Sequence, residues 1–532
     1  MQFPQAVPDH LRRYSDGFWA NRTLGDCARE RAHHEGDTVV FLGDPAAPNY
    51  ASLLADSESL TRALFDLGLR PGEVIGFQTP NWSEAAVINL AAALGGFVIA
   101  PIVHIYRDAE VRQMLGDCGA KAFFVAETFR SIDYAAMVER IRPDLPDLAQ
   151  VIYVRPATQQ TSFADLVAHG RSLVHPMPQV DPDGVKLLLY TSGTTGRPKA
   201  VLHSHNTLAR VAQVTATHAR IVGQDVALMP SPVTHISGYS GGLEKPFQIG
   251  SRTVLMETWD AARAVELIER YGVTSTVAAT PFLLELCSAA RAAGSSLPSF
   301  QRFACGGAAV PADLVRIANT ALANPCAYRV YGSSEVPLAT QGYLPDLAPD
   351  LAAETDGQPI DYELLIVDDA ERPLAAGHDG EVLARGPAMF MGYADPEQTA
   401  AAITADGYFR TGDIGHLTKE GALVITGRKK DLIIRGGENI SAKEIEDVLQ
   451  THPAVREAAV VAMPHLRLGE GICAYIIPLS AVSAAELAAH VLAAGLARQK
   501  CPERFELIDD LPRTASGKVR KDLLREDIRS KV

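Results

Sequence analysis

Residues 85–103 constrain this chain more than any other stretch. They are almost uncharged and long enough to cross a bilayer as one helix, so they demand either a membrane or a deeply buried place in a large fold. Gly95-Gly96 and Pro101 interrupt the run, and Asn89 sits inside it. A buried helix followed by a buried strand explains the same residues without a membrane. The surrounding sequence repeats that rhythm. Leu53, Leu60, Leu64 and Leu67 recur at helical spacing, Gly68 marks a helix end, and Glu73-Val74-Ile75-Gly76-Phe77 reads as a strand. Asp108 to Asp117, Ala122 to Val125 and Val151 to Val154 continue the alternation, which predicts an α/β fold built on an open, mostly parallel sheet.

In such sheets ligands bind beyond the C-terminal ends of the strands. One strand end carries an unusual sequence: the apolar Leu187-Leu188-Leu189-Tyr190 runs into Thr191, Ser192, Gly193, Thr194, Thr195 and Gly196, then Arg197-Pro198-Lys199. Glycines allow close backbone approach, hydroxyls and N–H groups donate, and two cations stand at the rim, a combination suited to phosphate. The Walker pattern is excluded, because its Gly-Lys-Ser/Thr triplet has no counterpart here. Net charge is −14 and no run of Lys or Arg offsets it, which argues against a nucleic-acid partner and requires any anion to be gathered locally.

Three later segments, Thr274 to Pro281, Phe303 to Ala308 and Ala327 to Glu335, also read as strands ending in small or polar residues. Strand ends of that kind suit a flat polyanion lying across the edge of a sheet. Before them, Met229 to Gly238 reads as a proline-rich loop with one histidine, His235. From Glu363 the pattern changes to short strands, Leu364 to Val367, Glu381 to Ala384 and Leu423 to Ile425, as in a small β-subdomain. A charged turn, Thr426 to Asp431, marks a boundary. Beyond it Ser441-Ala442-Lys443-Glu444 and Ser483-Ala484-Ala485-Glu486 read as capping boxes opening two helices, with strands Ala458 to Met463 and Ile472 to Ile477 between them. The expected fold class is therefore α/β: a large N-terminal domain (1–428) of layered, mostly parallel sheets, with a β-subdomain at about 360–428, and a small, mobile α+β C-terminal domain (429–532). With 532 residues, about three or four units of average size would fit.

Seven cysteines, odd in number and never spaced Cys-x-x-Cys, read as reduced thiols of a cytoplasmic protein. Met1 to Arg13 have no apolar core behind a basic end, so no secretory leader is expected.

Thr191 to Lys199, Tyr331-Gly332-Ser333-Ser334-Glu335, Phe409-Arg410-Thr411-Gly412-Asp413, Gly427 to Asp431, and Pro512 to Lys518 occur in an order and spacing that resembles the adenylate-forming superfamily of acyl-CoA synthetases, adenylation domains and luciferases. The resemblance covers nearly the whole chain and is greatest to AMP-forming acyl-CoA ligases of the cyclohexanecarboxylate and medium-chain type. It implies a ligase converting a carboxylic acid, ATP and CoA into acyl-CoA, AMP and pyrophosphate through an acyl-adenylate. Mg²⁺ would be the metal cofactor.

The resemblance also assigns roles. The loop from Thr191 through Gly196 to Lys199 would hold the phosphates; Gly306, Gly307 and Ala308 would flank adenine, with Tyr331 near it and Gly332, Ser333 and Ser334 completing the segment. Glu335, with Thr191, would bind Mg²⁺. Asp413 would take the ribose hydroxyls and Arg428 the ribose or phosphate. Lys518 would be the catalytic lysine of adenylation, Lys430 the hinge, and the segment holding Gly437 the face turned toward a pantetheine tunnel for thiol transfer. His235 matches a gate beside an acyl pocket walled by His235, Ile236, Tyr239, Phe282, Gly307, Val336 and Pro337. Ser334 replaces the usual Thr and keeps its hydroxyl. Ile236 occupies the position where amino-acid-activating domains place an Asp, which disfavours an amino-acid substrate, because an ammonium there would lack a counter-charge.

An alicyclic, aromatic or medium-chain acid is expected, while a steroid-derived side chain stays open. The alternatives are an adenylation enzyme loading a separate carrier protein, since only 14 residues follow Lys518, and luciferase-like oxygenation. No membrane span is expected, and self-association as a homodimer is left open.

Overall fold

The computed structural model describes residues 3–4, 6–157, 161–191, 198–308, 310–435, 438–514 and 518–532. The segment that first suggested a bilayer divides into the helix Glu84–Gly95 and the strand Val98–Pro101. Every helix residue from Ala85 to Gly95 is buried, as expected of a helix that is apolar all round and enclosed by protein. Gly96 ends it in the left-handed conformation, φ 67°, which glycine adopts without steric cost. No helix among the described residues is long and apolar enough to cross a membrane.

Two sheets make up the large domain. In the first, the strands run in the order Gly392–Tyr393, Lys199–Ser204, Val185–Thr191, Val98–Pro101, Val74–Gln78, Ala122–Ala126, Gln150–Val154. Five of the seven are parallel; Lys199–Ser204 pairs antiparallel with Val185–Thr191, and Gly392–Tyr393 antiparallel with Lys199–Ser204. Thr191 and Lys199 thus stand opposite each other on antiparallel strands beside the parallel set. The second sheet, Arg252–Leu255, Val226–Met229, Ser275–Ala278, Arg302–Cys305, Ala327–Arg329, is parallel throughout. Its helices, including Ala261–Tyr271 and Thr280–Ala293, build a core of their own around Ile268, Leu283, Phe303 and Val315.

An antiparallel β-subdomain follows: Glu363–Val367, Gly380–Arg385, Phe409–Leu417, Leu423–Arg428. The long strand Phe409–Leu417 is not evident from the sequence, because its Gly412 and its buried and part-buried positions obscure any simple alternation. The separate C-terminal domain has five strands, with Val455–His465 and Gly469–Pro478 as its central hairpin and apolar clusters on both faces. Ser483 forms the full reciprocal capping box with Glu486. Ser441 does not: its side chain caps Glu444 N, but the Glu444 carboxylate is taken by Lys500 at 2.6 and 2.7 Å, so only half of the expected box exists.

Candidate active site

Three of the parallel strand ends and the hairpin meet the β-subdomain at one cleft. Gly306 lies where an added Cβ would stand 2.6 Å from the Val330 carbonyl oxygen, and Gly307 adopts φ +82° with open space before it. The first glycine permits close strand packing and the second permits the turn. Ala308 is exposed beside them. At the next strand end Tyr331 N donates to Thr340 Oγ1 (2.9 Å), and Ser333 and Val336 close a tight turn, Ser333 N to Val336 O at 3.2 Å. A Cβ on Gly332 would reach Leu338 N at 2.5 Å, so the turn is closed to larger residues. Ser334 and Glu335 follow, both buried.

Their position is fixed from behind. His203 Nε2 donates to the Ser334 carbonyl (2.7 Å), and Phe390 N donates to the Glu335 carbonyl (2.8 Å). Burial pushes His203 down to about 4, so it is neutral near pH 7. The Glu335 side chain accepts from Tyr393 OH at 2.8 Å. Lys199, at the far side of the hairpin from Thr191, stands 4.7 Å from the centroid of the Tyr393 ring.

Asp413 and Arg428 face each other across adjacent strands, and Arg428 Nε donates to Asp413 Oδ1 at 2.6 Å. Tyr331 OH donates to the other carboxylate oxygen at 2.6 Å. Burial and the neighbouring Asp413 push the Tyr331 phenol well above its usual range, which keeps it a donor. Thus one aspartate joins the strand-end segment to the β-subdomain.

The C-terminal domain supplies Lys518. Its loop is braced by Thr514, whose N–H donates to Lys518 O (2.7 Å) and whose hydroxyl accepts from Lys518 N (3.1 Å). Lys518 exposes surface to solvent yet is ringed by protein, and that crowding, with Arg428 beside it, lowers its pKa; Asp413 and Glu335 act in the opposite sense. The same ammonium helps to lower His235, where burial is the larger cause and the value is about 4. Lys518, His235, Glu335, Asp413 and Arg428 therefore face a common space, although more than two hundred residues separate some of them.

His235 is the N-cap residue of the short helix Ile236–Gly238, with Nδ1 3.3 Å from Ser237 Oγ. Its loop is held by Asn81, whose Nδ2 donates to Met229 O and Ser231 O and whose Oδ1 accepts from Val233 N. Of the other expected pocket residues, Ile236, Val336 and Pro337 are buried. Phe282 packs edge-on against Trp259 with centroids 4.8 Å apart. Tyr239 is fully buried, and its hydroxyl points to Asn89 (2.5 Å) and Lys186 (3.2 Å), so only its ring is available to a pocket. Lys430 lies in the single turn Lys429–Asp431. Ser192, Gly193, Thr194, Thr195, Gly196 and Gly437 lie outside the described residues.

Asn81, His203 and Tyr393 were not found by sequence reasoning. Each acts on a segment distant along the chain through side-chain hydrogen bonds, three from Asn81 and one each from His203 and Tyr393, and no local pattern announces that. Tyr393 had the nearest thing to a signal, a Gly-Tyr pair before Asp395-Pro396, but that reads equally well as a helix start.

All seven cysteines are free, and burial raises Cys118, Cys305 and Cys326 to about 12, which leaves them as inert thiols. The side-chain oxygen atoms of Glu335 and Thr191 are of the hard type that would suit Mg²⁺. Among the described residues no group of three or more His, Cys, Asp or Glu could hold a metal by itself.

The AMP-binding enzyme family profile matches residues 28–394, and the profile of the AMP-binding enzyme C-terminal domain matches 444–518. The chain belongs to this family. It is 35% identical over 529 residues to the medium-chain fatty-acid–CoA ligase of Escherichia coli K12, covering 96% of this chain and 91% of that protein. It is 32% identical to the 2,3-dihydroxybenzoate-AMP ligase of Bacillus subtilis, over 100% and 98% of the two chains. The ATP-bound structure of MatB from Rhodopseudomonas palustris superposes with a TM-score of 0.83 at 25% identity, over 95% of this chain and 99% of that one. The fold and family are those of adenylate-forming enzymes, and the activity class is an acid–thiol ligase using ATP.

Proposed function

We propose that this AMP-binding enzyme activates a carboxylic acid as its acyl-adenylate and passes the acyl group to coenzyme A. The observation that carries the reading is the convergence of Lys518, from the C-terminal domain, with Glu335, Asp413 and Arg428 of the large domain. A carboxylate is a poor electrophile, and exchanging its oxide for AMP requires two anions to be brought together. Cations fixed in the cleft before the reaction offset the charge on phosphate and carboxylate oxygens, each group contributing about 2 to 4 kcal/mol to the transition state.

Here Lys518 would face the α-phosphate and carboxylate, Lys199 and the hairpin the remaining phosphates, and Asp413 with Arg428 the ribose. Gly306, Gly307, Ala308 and Tyr331 would bound the adenine. Glu335 and Thr191 would hold Mg²⁺, which when bound neutralises phosphate charge. His235 and Ile236 would guard the acid, with Phe282, Val336 and Pro337 as apolar wall. That lining favours an uncharged alicyclic, aromatic or medium-chain tail. The domains would divide after Arg428, with Lys430 as the pivot on which the smaller domain turns between half-reactions, in the cytoplasm.

Relatives with both acceptors support two readings: the Escherichia coli protein is named a CoA ligase, while those of Bacillus subtilis and Vibrio cholerae are named dihydroxybenzoate-AMP ligases. A carrier-protein acceptor is thus the second reading. Pyrophosphate release across a panel of carboxylic acids, followed by mass detection of acyl-CoA with CoA as the sole thiol, tests the proposal. Acid-dependent pyrophosphate release without any thioester would favour the carrier reading, and no acid-dependent release would refute both. Lys518→Ala is expected to abolish acyl-adenylate formation and to leave thioester formation from supplied acyl-AMP largely intact; equal loss of both steps would contradict its place in the first step.

A further inference from the structure

Tyr393 touches two charged groups of the cleft, Lys199 on the adjacent strand and Glu335 in the turn that follows strand Ala327–Arg329. Its strand, Gly392–Tyr393, is the edge of the first sheet and pairs with Val201 and Leu202, two residues beyond Lys199. The ring is 6% exposed and packs edge-on against Phe390 at 5.0 Å, while Tyr393 N donates to Thr399 Oγ1 at 2.9 Å. The ring therefore has little freedom. On one side its hydroxyl donates to Glu335 Oε1; on its face lies the ammonium of Lys199, 4.7 Å from the centroid.

Lys199 and Glu335 each touch Tyr393 and form no ion pair with each other among the described residues; a paired Lys199 and Glu335 would neutralise each other. A ring attracts a cation through its quadrupole without cancelling its charge. The phenol fixes one carboxylate oxygen with a neutral donor and leaves the second oxygen free of it.

We propose that Tyr393 is a positioning residue that keeps Lys199 and Glu335 apart and aimed, so that the lysine charge remains available to phosphate and the carboxylate to a divalent cation. This rests on the reading of the hairpin and Glu335 as nucleotide and cation ligands. The family match does not assign it.

The test uses the full chain, Mn²⁺ as the cation and α,β-methylene-ATP as the nucleotide, so that no acid and no turnover are needed. Mn²⁺ binding is followed by electron paramagnetic resonance, and nucleotide binding by calorimetry without metal. Tyr393→Phe keeps the ring and removes the hydroxyl: Mn²⁺ affinity should fall about tenfold, the lower end of the worth of one hydrogen bond to a charged group, with metal-free nucleotide affinity unchanged. Tyr393→Leu removes the spacer as well, and nucleotide affinity should then fall by about threefold. Phe409→Leu disturbs the same packing, since its ring lies 5.1 Å from that of Phe390, and touches neither charge. It should lower thermal stability and leave Mn²⁺ affinity intact. The proposal is overturned if Tyr393→Phe binds Mn²⁺ as tightly as wild type, if Tyr393→Leu leaves metal-free nucleotide affinity unchanged, or if Phe409→Leu reproduces the Mn²⁺ loss. If wild-type protein binds neither probe, the nucleotide reading itself falls; if it binds both and only the variants disagree, Tyr393 alone has been misread.

Discussion

His203 holds the carbonyl of Ser334 from a site with no exposure, and its value of about 4 means that it is neutral there at physiological pH. Because Ser334 O can only accept, Nε2 carries the proton and Nδ1 faces the Thr207 hydroxyl at 3.1 Å. The unfolded histidine titrates near 6.5, so between about 6.5 and 4 the unfolded chain binds one more proton than the native one at this residue. Its contribution is present above pH 6.5 and is lost as the pH falls toward 4. Each such histidine gives a slope of about 1.4 kcal/mol per pH unit across that window. His205 and His235 are shifted the same way by burial, so wild-type stability should decline steeply on acidification. His203→Gln, which retains a donor for Ser334 O, should flatten that decline by one proton's worth. Urea unfolding at pH 5, 6 and 7 measures it, and an unchanged pH slope would show that His203 does not stay neutral.

Helices in the large domain are set by contacts of backbone on backbone that only glycine permits. Helix Phe163–Arg171 crosses helix Tyr50–Asp66 so closely that a Cβ on Gly170 would lie 1.8 Å from the Ser59 carbonyl oxygen. Neither backbone can yield alone, so Gly170→Ala must separate the helices. It should cost about 1 to 3 kcal/mol, seen as a lower urea midpoint at constant slope. No change in midpoint would mean that the crossing is looser than described. Such contacts explain what the sequence could and could not announce. The buried helix and strand within residues 85–103 were legible because burial on all sides writes itself into composition. The strand ends at Cys305 and Arg329 were legible because small residues follow them. Pairing was not. The antiparallel return of Lys199–Ser204, the strand Phe409–Leu417 and the short Gly392–Tyr393 depend on partners far along the chain, and so do Asn81, His203 and Tyr393. The half-made cap at Ser441 shows the same limit, since Lys500 outcompetes a local contact from more than fifty residues away.

At the scale of the molecule, the cleft is assembled from two bodies. The larger one fixes Glu335, Asp413 and Arg428 through buried hydrogen bonds, while Lys518 arrives on a loop of the smaller one. On the proposed reading Lys518 would serve adenylation and be of no use to thiol attack, so the smaller body would have to leave between the two steps. The connection is narrow: the turn Lys429–Asp431 follows the last strand of the β-subdomain, and Arg525 from the C-terminal helix pairs with Asp431 and donates to the Lys430 carbonyl at 3.5 Å. Ser441 Oγ donates across the boundary to Thr426 O at 2.6 Å. If the smaller body turns as proposed, the backbone torsions of Lys430 would be the place for the rotation. Proline fixes φ near −65° and removes the N–H, so Lys430→Pro should freeze the turn. If the orientation described here is the adenylating one, that variant should retain acid-dependent exchange of pyrophosphate into ATP and lose thioester formation, including from supplied acyl-AMP. Loss of both reactions would mean that the frozen orientation is not the adenylating one. Normal thioester formation would move the pivot away from Lys430.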